Sequence, residues 1–183
     1  MTLLTVWPDD RPGHVLLRTE DPGTITAELA RIGVEFCRWP LAALVPGGTE
    51  SEVLARYRDR IDSRTTAVGY HAVDVVIGDS DATEHVLPLD EDRFFVSGSA
   101  VWYLHAGPQV HAVLCEPGDL LAVPAHTHHW HSGGPDADHV TIRVRHPASR
   151  AAVPAQAPLA AAVFPGYDEL IAGRASTWPA LSH

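Results

Sequence analysis

GDLLAVPAHTHHWH, from Gly118 to His131, is the stretch on which the reading of this 183-residue chain turns. Its first part is a short apolar run, Leu120 to Val123, closed by Pro124, and short runs bounded by turn residues read as strands. Its second part carries His126, His128, His129 and His131. On a strand, residues two apart face the same side, so His129 and His131 point together, into the interior. Upstream lies a companion, HVLPLDEDRFFVSG, from His85 to Gly98, which also carries potential ligands beside an apolar run. Around these two stretches stand YHAVDVVI (Tyr70–Ile77), AVWYLH (Ala100–His105), VHAVLC (Val110–Cys115) and VTIRV (Val140–Val144). Glycine, proline, aspartate and serine separate the runs at short intervals, the pattern of an all-β fold, an antiparallel sandwich or barrel.

The flanks add a few peripheral helices. Val15–Arg18 reads as a strand, Ile25, Leu29 and Ile32 as one face of a helix stopped at Gly33, and Val34–Trp39 as a further strand. Thr49 with Glu52 forms a capping-box pattern ahead of Val53, Leu54, Tyr57 and Ile61, which predicts a second helix. The proline-rich segment after Arg145 reads as a surface loop, Tyr167–Ala172 as a short helix, and the tail from Gly173 as disordered. The length suits one domain over 1–183: elements of 1–69 packing on the barrel, a barrel core with the metal site over 70–145, and a loop, helix and tail over 146–183.

Composition narrows the function. A net charge of -10, with arginines scattered singly, argues against nucleic acid or an anionic membrane as partner and favours a small molecule. There is no lysine, which excludes lysine Schiff-base chemistry. Cys37 and Cys115 sit far apart in apolar surroundings and read as reduced core thiols. The N-terminal residues lack the basic and apolar segments of a signal or membrane anchor, so a cytoplasmic location is expected. Twelve histidines supply the commonest protein ligands for zinc, nickel, iron and copper.

The intervals from Glu91 to Gly98, from Gly118 to Pro124 and on to His129 resemble the two-part motif of cupins. That resemblance implies a cupin-type antiparallel β-barrel, the double-stranded β-helix or jelly roll. Within cupins the chain is similar to the acireductone dioxygenase family. The similarity takes in Leu16-Leu-Arg-Thr19, Val34-Glu-Phe-Cys-Arg-Trp39, Asp74-Val-Val76, His111-Ala-Val-Leu-Cys-Glu116 and Phe164-Pro165. Carried over, His85, Glu91 and His129 are the first histidine, the carboxylate and the final histidine of the family's metal site. Leu87 stands at its second histidine and cannot bind metal. Two histidines and one carboxylate remain, the ligand set of non-haem iron oxygenases. His126 replaces the family's glycine, and His131 its aromatic, where it could serve as fourth ligand or as acid/base.

The resemblance implies one divalent metal, Fe2+ or Ni2+, with dioxygen and a small-molecule substrate as partners. Leu87, Arg93 and Phe95 are candidates for the substrate pocket, Arg93 being equally readable as a carboxylate's structural partner. His126 and His128 read as solvated loop residues, and His105 and His111 as satisfied sheet residues. Three functions compete. One is a dioxygenase diverged toward specialised metabolism, with a thiol amino acid such as cysteine as a candidate substrate. The others are a genuine acireductone dioxygenase of methionine salvage and a non-catalytic cupin that binds a small molecule.

Overall fold

The computed structural model of the protein describes residues 1–43, 48–152 and 158–174. In chain order the elements are β1 (Leu3–Pro8), β2 (Leu17–Thr19), α1 (Pro22–Arg31), β3 (Glu35–Arg38), α2 (Glu50–Arg56) and α3 (Arg58–Val68). There follow β4 (Ala72–Ile77), β5 (Asp81–His85), β6 (Asp90–Ser97), β7 (Ala100–Ala106), β8 (Gln109–Cys115), β9 (Asp119–Val123), β10 (His128–Gly133) and β11 (Val140–His146). A 3-10 turn (Ala161–Val163) and α4 (Tyr167–Ala172) close the described chain. None of these helices is long and apolar enough to cross a membrane.

The strands form two antiparallel sheets, ordered β2-β1-β8-β7-β10-β5 and β3-β9-β6-β11-β4. Among the described residues no ladder joins them, so the expected barrel is a two-sheet jelly roll without hydrogen-bonded closure. Alternation decides what each strand presents. Leu4, Val6, Trp102, Leu104, Val113 and Cys115 of the first sheet share one buried cluster with Phe95, Leu121 and Val123 of the second, which fills the space between the sheets. The intervening residues Leu3, Trp7, Val101, Tyr103, Val110 and Ala112 face outward and are covered by Phe164 and Leu170. The outer face of the second sheet, Phe94, Val96, Ile142 and Val144, is covered by Val53, Tyr57 and Ile61.

Local chemistry explains the helices. Asp21 caps α1 by accepting from the Thr24 N–H at 2.7 Å, and Gly33, at φ 77°, ends it. Thr49 and Glu52 form the expected capping box. The helix expected there is two helices, however. The Tyr57 N–H turns to the Leu54 carbonyl, three residues back, so the coil tightens and breaks between α2 and α3. The Tyr57 ring then packs 4.9 Å from Phe94, and its hydroxyl accepts from the Ala42 N–H.

Leu3–Pro8, which sequence patterning left unassigned, is a buried strand between β2 and β8. The Val15–Arg18 strand is found shorter and shifted toward the C-terminus, at Leu17–Thr19. Most of the expected disordered tail, from Ala175, lies outside the described residues, as do 153–157 of the expected loop. Cys115 is sealed in the core, whereas Cys37 is only half-buried.

His126 adopts φ 62°, the left-handed region in which a Cβ is disfavoured. It occupies the position where the family resembled above has glycine. His126→Gly should therefore raise stability by about 0.5–1 kcal/mol, strain relief of about 1–2 kcal/mol being partly offset by glycine's larger unfolded-state entropy. Thermal unfolding should show a midpoint about 2 °C higher.

Candidate metal and substrate site

β5 is the edge of its sheet, and its inner face carries His85 opposite His129 of β10. The two rings lie 4.4 Å apart. Each is fixed in the same way: Nδ1 of His85 stands 2.8 Å from the Thr83 carbonyl, and Nδ1 of His129 stands 2.8 Å from the Thr127 carbonyl. A carbonyl only accepts, so Nδ1 carries the proton and Nε2 keeps a lone pair. Burial pushes His129 down to about 4, with the neighbouring His85 and His131 adding to the fall and the Thr127 carbonyl and Glu91 opposing it. At neutral pH it is an unprotonated imidazole, the form that binds metal.

Glu91 of β6 is buried, with both carboxylate oxygens occupied. Arg93 Nε donates to Oε1 at 2.7 Å and Arg145 Nε to Oε2 at 3.2 Å. Burial works to raise the Glu91 carboxyl, but the two guanidinium groups outweigh it and hold it below the usual carboxylate range. Arg93 also donates to Thr141 Oγ1 at 3.2 Å and to Asp79 at 2.8 Å, and lies 5.3 Å over the face of Trp102. Asp79 gathers the rest: His139 Nε2 is 3.1 Å from Oδ1, and His131 Nε2 is 3.3 Å from Oδ2. Burial opposes ionisation of Asp79, yet His131, His139 and Arg93 keep its carboxyl far below the ordinary value.

His131 thus faces the interior as its spacing required. Its ring stacks on Trp102 at 4.4 Å and lies 6.5 Å from His85. Leu87 is half-buried in the turn after β5, where its carbonyl accepts from the His126 N–H. Phe95 is fully buried and stands edge-on to Trp102. His128 is not a solvated loop residue: it lies on β10 with Nδ1 3.4 Å from Glu84, which also meets Nδ1 of His105 at 2.6 Å. His105 is satisfied as expected. His111 is fully buried, with Nε2 3.5 Å from a Glu28 carboxylate oxygen, and burial lowers its pKa against the opposing pull of Glu28.

Asp79, His139, Arg143 and Arg145 escaped the sequence reading. The signal was the run VTIRVR, in which Thr141, Arg143 and Arg145 alternate with the buried outer residues Ile142 and Val144 and so face inward. Arg143 forms a two-pronged ion pair with Asp74.

The histidine pair fits a divalent ion, since each ring's second nitrogen is anchored by a carbonyl as ligating histidines require. The set is incomplete at Glu91, whose oxygens are taken up by arginines. Among the described residues no three His, Cys, Asp or Glu side chains converge as a metal-holding group. A cavity of about 720 Å³ lies behind the strand, lined by Asp90 and Asp92 and not by Glu91.

Two antiparallel sheets enclosing this histidine pair define a cupin of the dioxygenase type, and the comparisons specify which. The ARD/ARD' family model matches residues 79–149. Acireductone dioxygenase of Saccharopolyspora erythraea is 42% identical over 190 residues, covering 95% of this chain and 100% of that protein. The enzyme of the same name from Frankia alni is 42% identical over 160 residues, 78% of each chain. The structure of acireductone dioxygenase from Bacillus anthracis, with a cadmium ion in its active center, matches with a TM-score of 0.68 at 26% identity, over 80% of this chain and 93% of that one. The present chain belongs to the acireductone dioxygenase family.

Asp79→Asn should lower stability by about 2 kcal/mol at pH 7, less than for a fully buried pair because Asp79 is a quarter exposed. A carboxylate whose folded value is depressed stabilises above its unfolded value and loses that contribution as pH falls. Urea unfolding between pH 5 and 2 should accordingly show a shallower acid-side loss in the variant than in the parent.

Proposed function

We propose that the chain is a metal-dependent dioxygenase that oxidises a small, polar, anionic substrate with O2 and that has moved away from acireductone, with a thiol amino acid such as cysteine as the candidate. The observation carrying this reading is the His85–His129 pair, each ring anchored through Nδ1 and presenting Nε2, with Leu87 where the family has a further histidine. His85 and His129 would hold Fe2+ or Ni2+, with Glu91 as third donor. The chemistry that such an ion supplies when bound is Lewis-acid templating of substrate beside dioxygen.

The chain's own residues do the rest. His129, neutral because buried, donates its lone pair without first losing a proton. Arg145, about a third exposed, makes one side-chain hydrogen bond among the described residues, from Nε to Glu91, and its outer N–H groups suit a substrate carboxylate. Trp102, Phe95 and Leu104 close the interior below the histidines and exclude water from that side. His131, held between Trp102 and Asp79, would serve as acid/base or further ligand. Cys37 and Cys115, both free, suit a reducing cytoplasm.

The second reading, acireductone dioxygenase itself, is favoured by the Saccharopolyspora erythraea relative, which covers nearly the whole chain. Oxygen uptake by Fe2+-loaded and Ni2+-loaded protein, run in parallel on cysteine and acireductone, separates them. Faster turnover of cysteine supports the proposal and faster turnover of acireductone the second reading. Full metal loading with no uptake on either leaves a small-molecule-binding cupin. Leu87→His should tighten metal binding by about 10-fold or more by adding an imidazole donor, measured by titration with Ni2+. Arg145→Gln should raise KM several-fold for an anionic substrate without lowering metal content, since it frees an oxygen of Glu91.

A further inference from the structure

The separation of His85 and His129 depends on two strands whose own pairing is weak. β5 is an edge strand, and its register with β10 consists of His85 opposite His129 and Asp81 opposite His131, with a shift between them. A slip of one residue on such a strand would turn His85 to the outer face.

On that outer face, Glu84 precedes His85 and its side chain is completely buried. Its Oε1 lies 2.6 Å from His105 Nδ1 on β7 and 3.4 Å from His128 Nδ1 on β10. Its Oε2 accepts from the Leu159 N–H of the segment that crosses the sheet. His105 and His128 are themselves cross-strand partners, and Asp9 stands 3.5 Å from the far nitrogen of His105. One carboxylate therefore ties β5 to β10, to β7 and to the covering segment. A buried carboxylate costs several kcal/mol unless it is paired and hydrogen-bonded, so losing its partners, or losing it, disturbs every element it joins.

We infer that Glu84 is a positioning residue: from the reverse side of the sheet it fixes the register that sets His85 against His129. The inference rests on the metal-site reading above, and its test separates the two. Co2+ binding is followed by its visible absorption in the parent, in Glu84→Gln, and in Asp119→Asn as a stability control. Asp119 is also fully buried, but it tethers Thr2 and the Glu116 N–H, on the N-terminal side of the fold.

The expected result is a 10- to 100-fold weaker Co2+ affinity and an altered spectrum in Glu84→Gln, with Asp119→Asn destabilised yet binding as the parent does. An affinity in Glu84→Gln within twofold of the parent, or an equal loss in Asp119→Asn, overturns the inference. Should Glu84→Gln fail to fold, His105→Asn, which removes one arm of the tie, is expected to weaken Co2+ binding in the same direction, and unchanged binding overturns the inference. A parent that binds no Co2+ overturns the metal reading instead. The positioning role is then judged by amide exchange in β5, which should quicken in Glu84→Gln and not in Asp119→Asn; unchanged exchange overturns it.

Discussion

Arg93 is a guanidinium enclosed between two sheets, and a charge so placed must be compensated on several sides at once. Glu91 takes its Nε and Asp79 one of its terminal nitrogens, Thr141 a third donor, and the face of Trp102 lies beneath it. Each partner brings others: Glu91 draws in Arg145, and Asp79 draws in His131 and His139. The interior is thereby divided. One half is the apolar cluster of Leu4, Val6, Val113 and Leu121, and the other is a polar lining into which the histidine pair opens. The carboxylate that metal chemistry asks for is the same one that compensates Arg93, so donor strength at Glu91 is set by how firmly the arginines hold it.

Much of this could be read from residue order, and the unread parts have physical causes. β6 to β9 declare themselves because apolar runs stop sharply at glycine, proline or aspartate, and the capping box at Thr49 announces α2 in four residues. β1 was missed because LLTVW lacks alternation: a strand buried on both faces shows no period of two. His85, Glu91 and His129 follow from the family resemblance, and the structure brings the two imidazoles together but leaves the carboxylate with arginine. Asp79 and His139 were invisible because they flank strands in turns, where neither periodicity nor motif reports direction. The outward ladder of Glu84, His105 and His128 was misread in one member, since His128 was taken for a loop residue when it is a strand residue with a buried partner.

The departures from the family's pattern fall close together in space. Leu87 and His126 are joined through a backbone hydrogen bond, and His131 begins the polar lining on the adjacent strand. A histidine held at positive φ is a conformational cost that glycine would not carry. Its presence beside Leu87 puts two of the departures from the family's pattern at one corner, while the scaffold beneath it keeps the common architecture.

β1 carries a last consequence, for biosynthesis. Leu3 pairs with Leu114 and Val6 with His111, so a strand made before β2 to β7 finds its main partner only when β8 has emerged. Until then LLTVW has only the short β2 beside it and leaves one apolar edge open on a growing chain, and pairings so distant in sequence close slowly. Expression at low temperature or with added holdase chaperones therefore protects this protein at the stage when its first strand is waiting for its eighth.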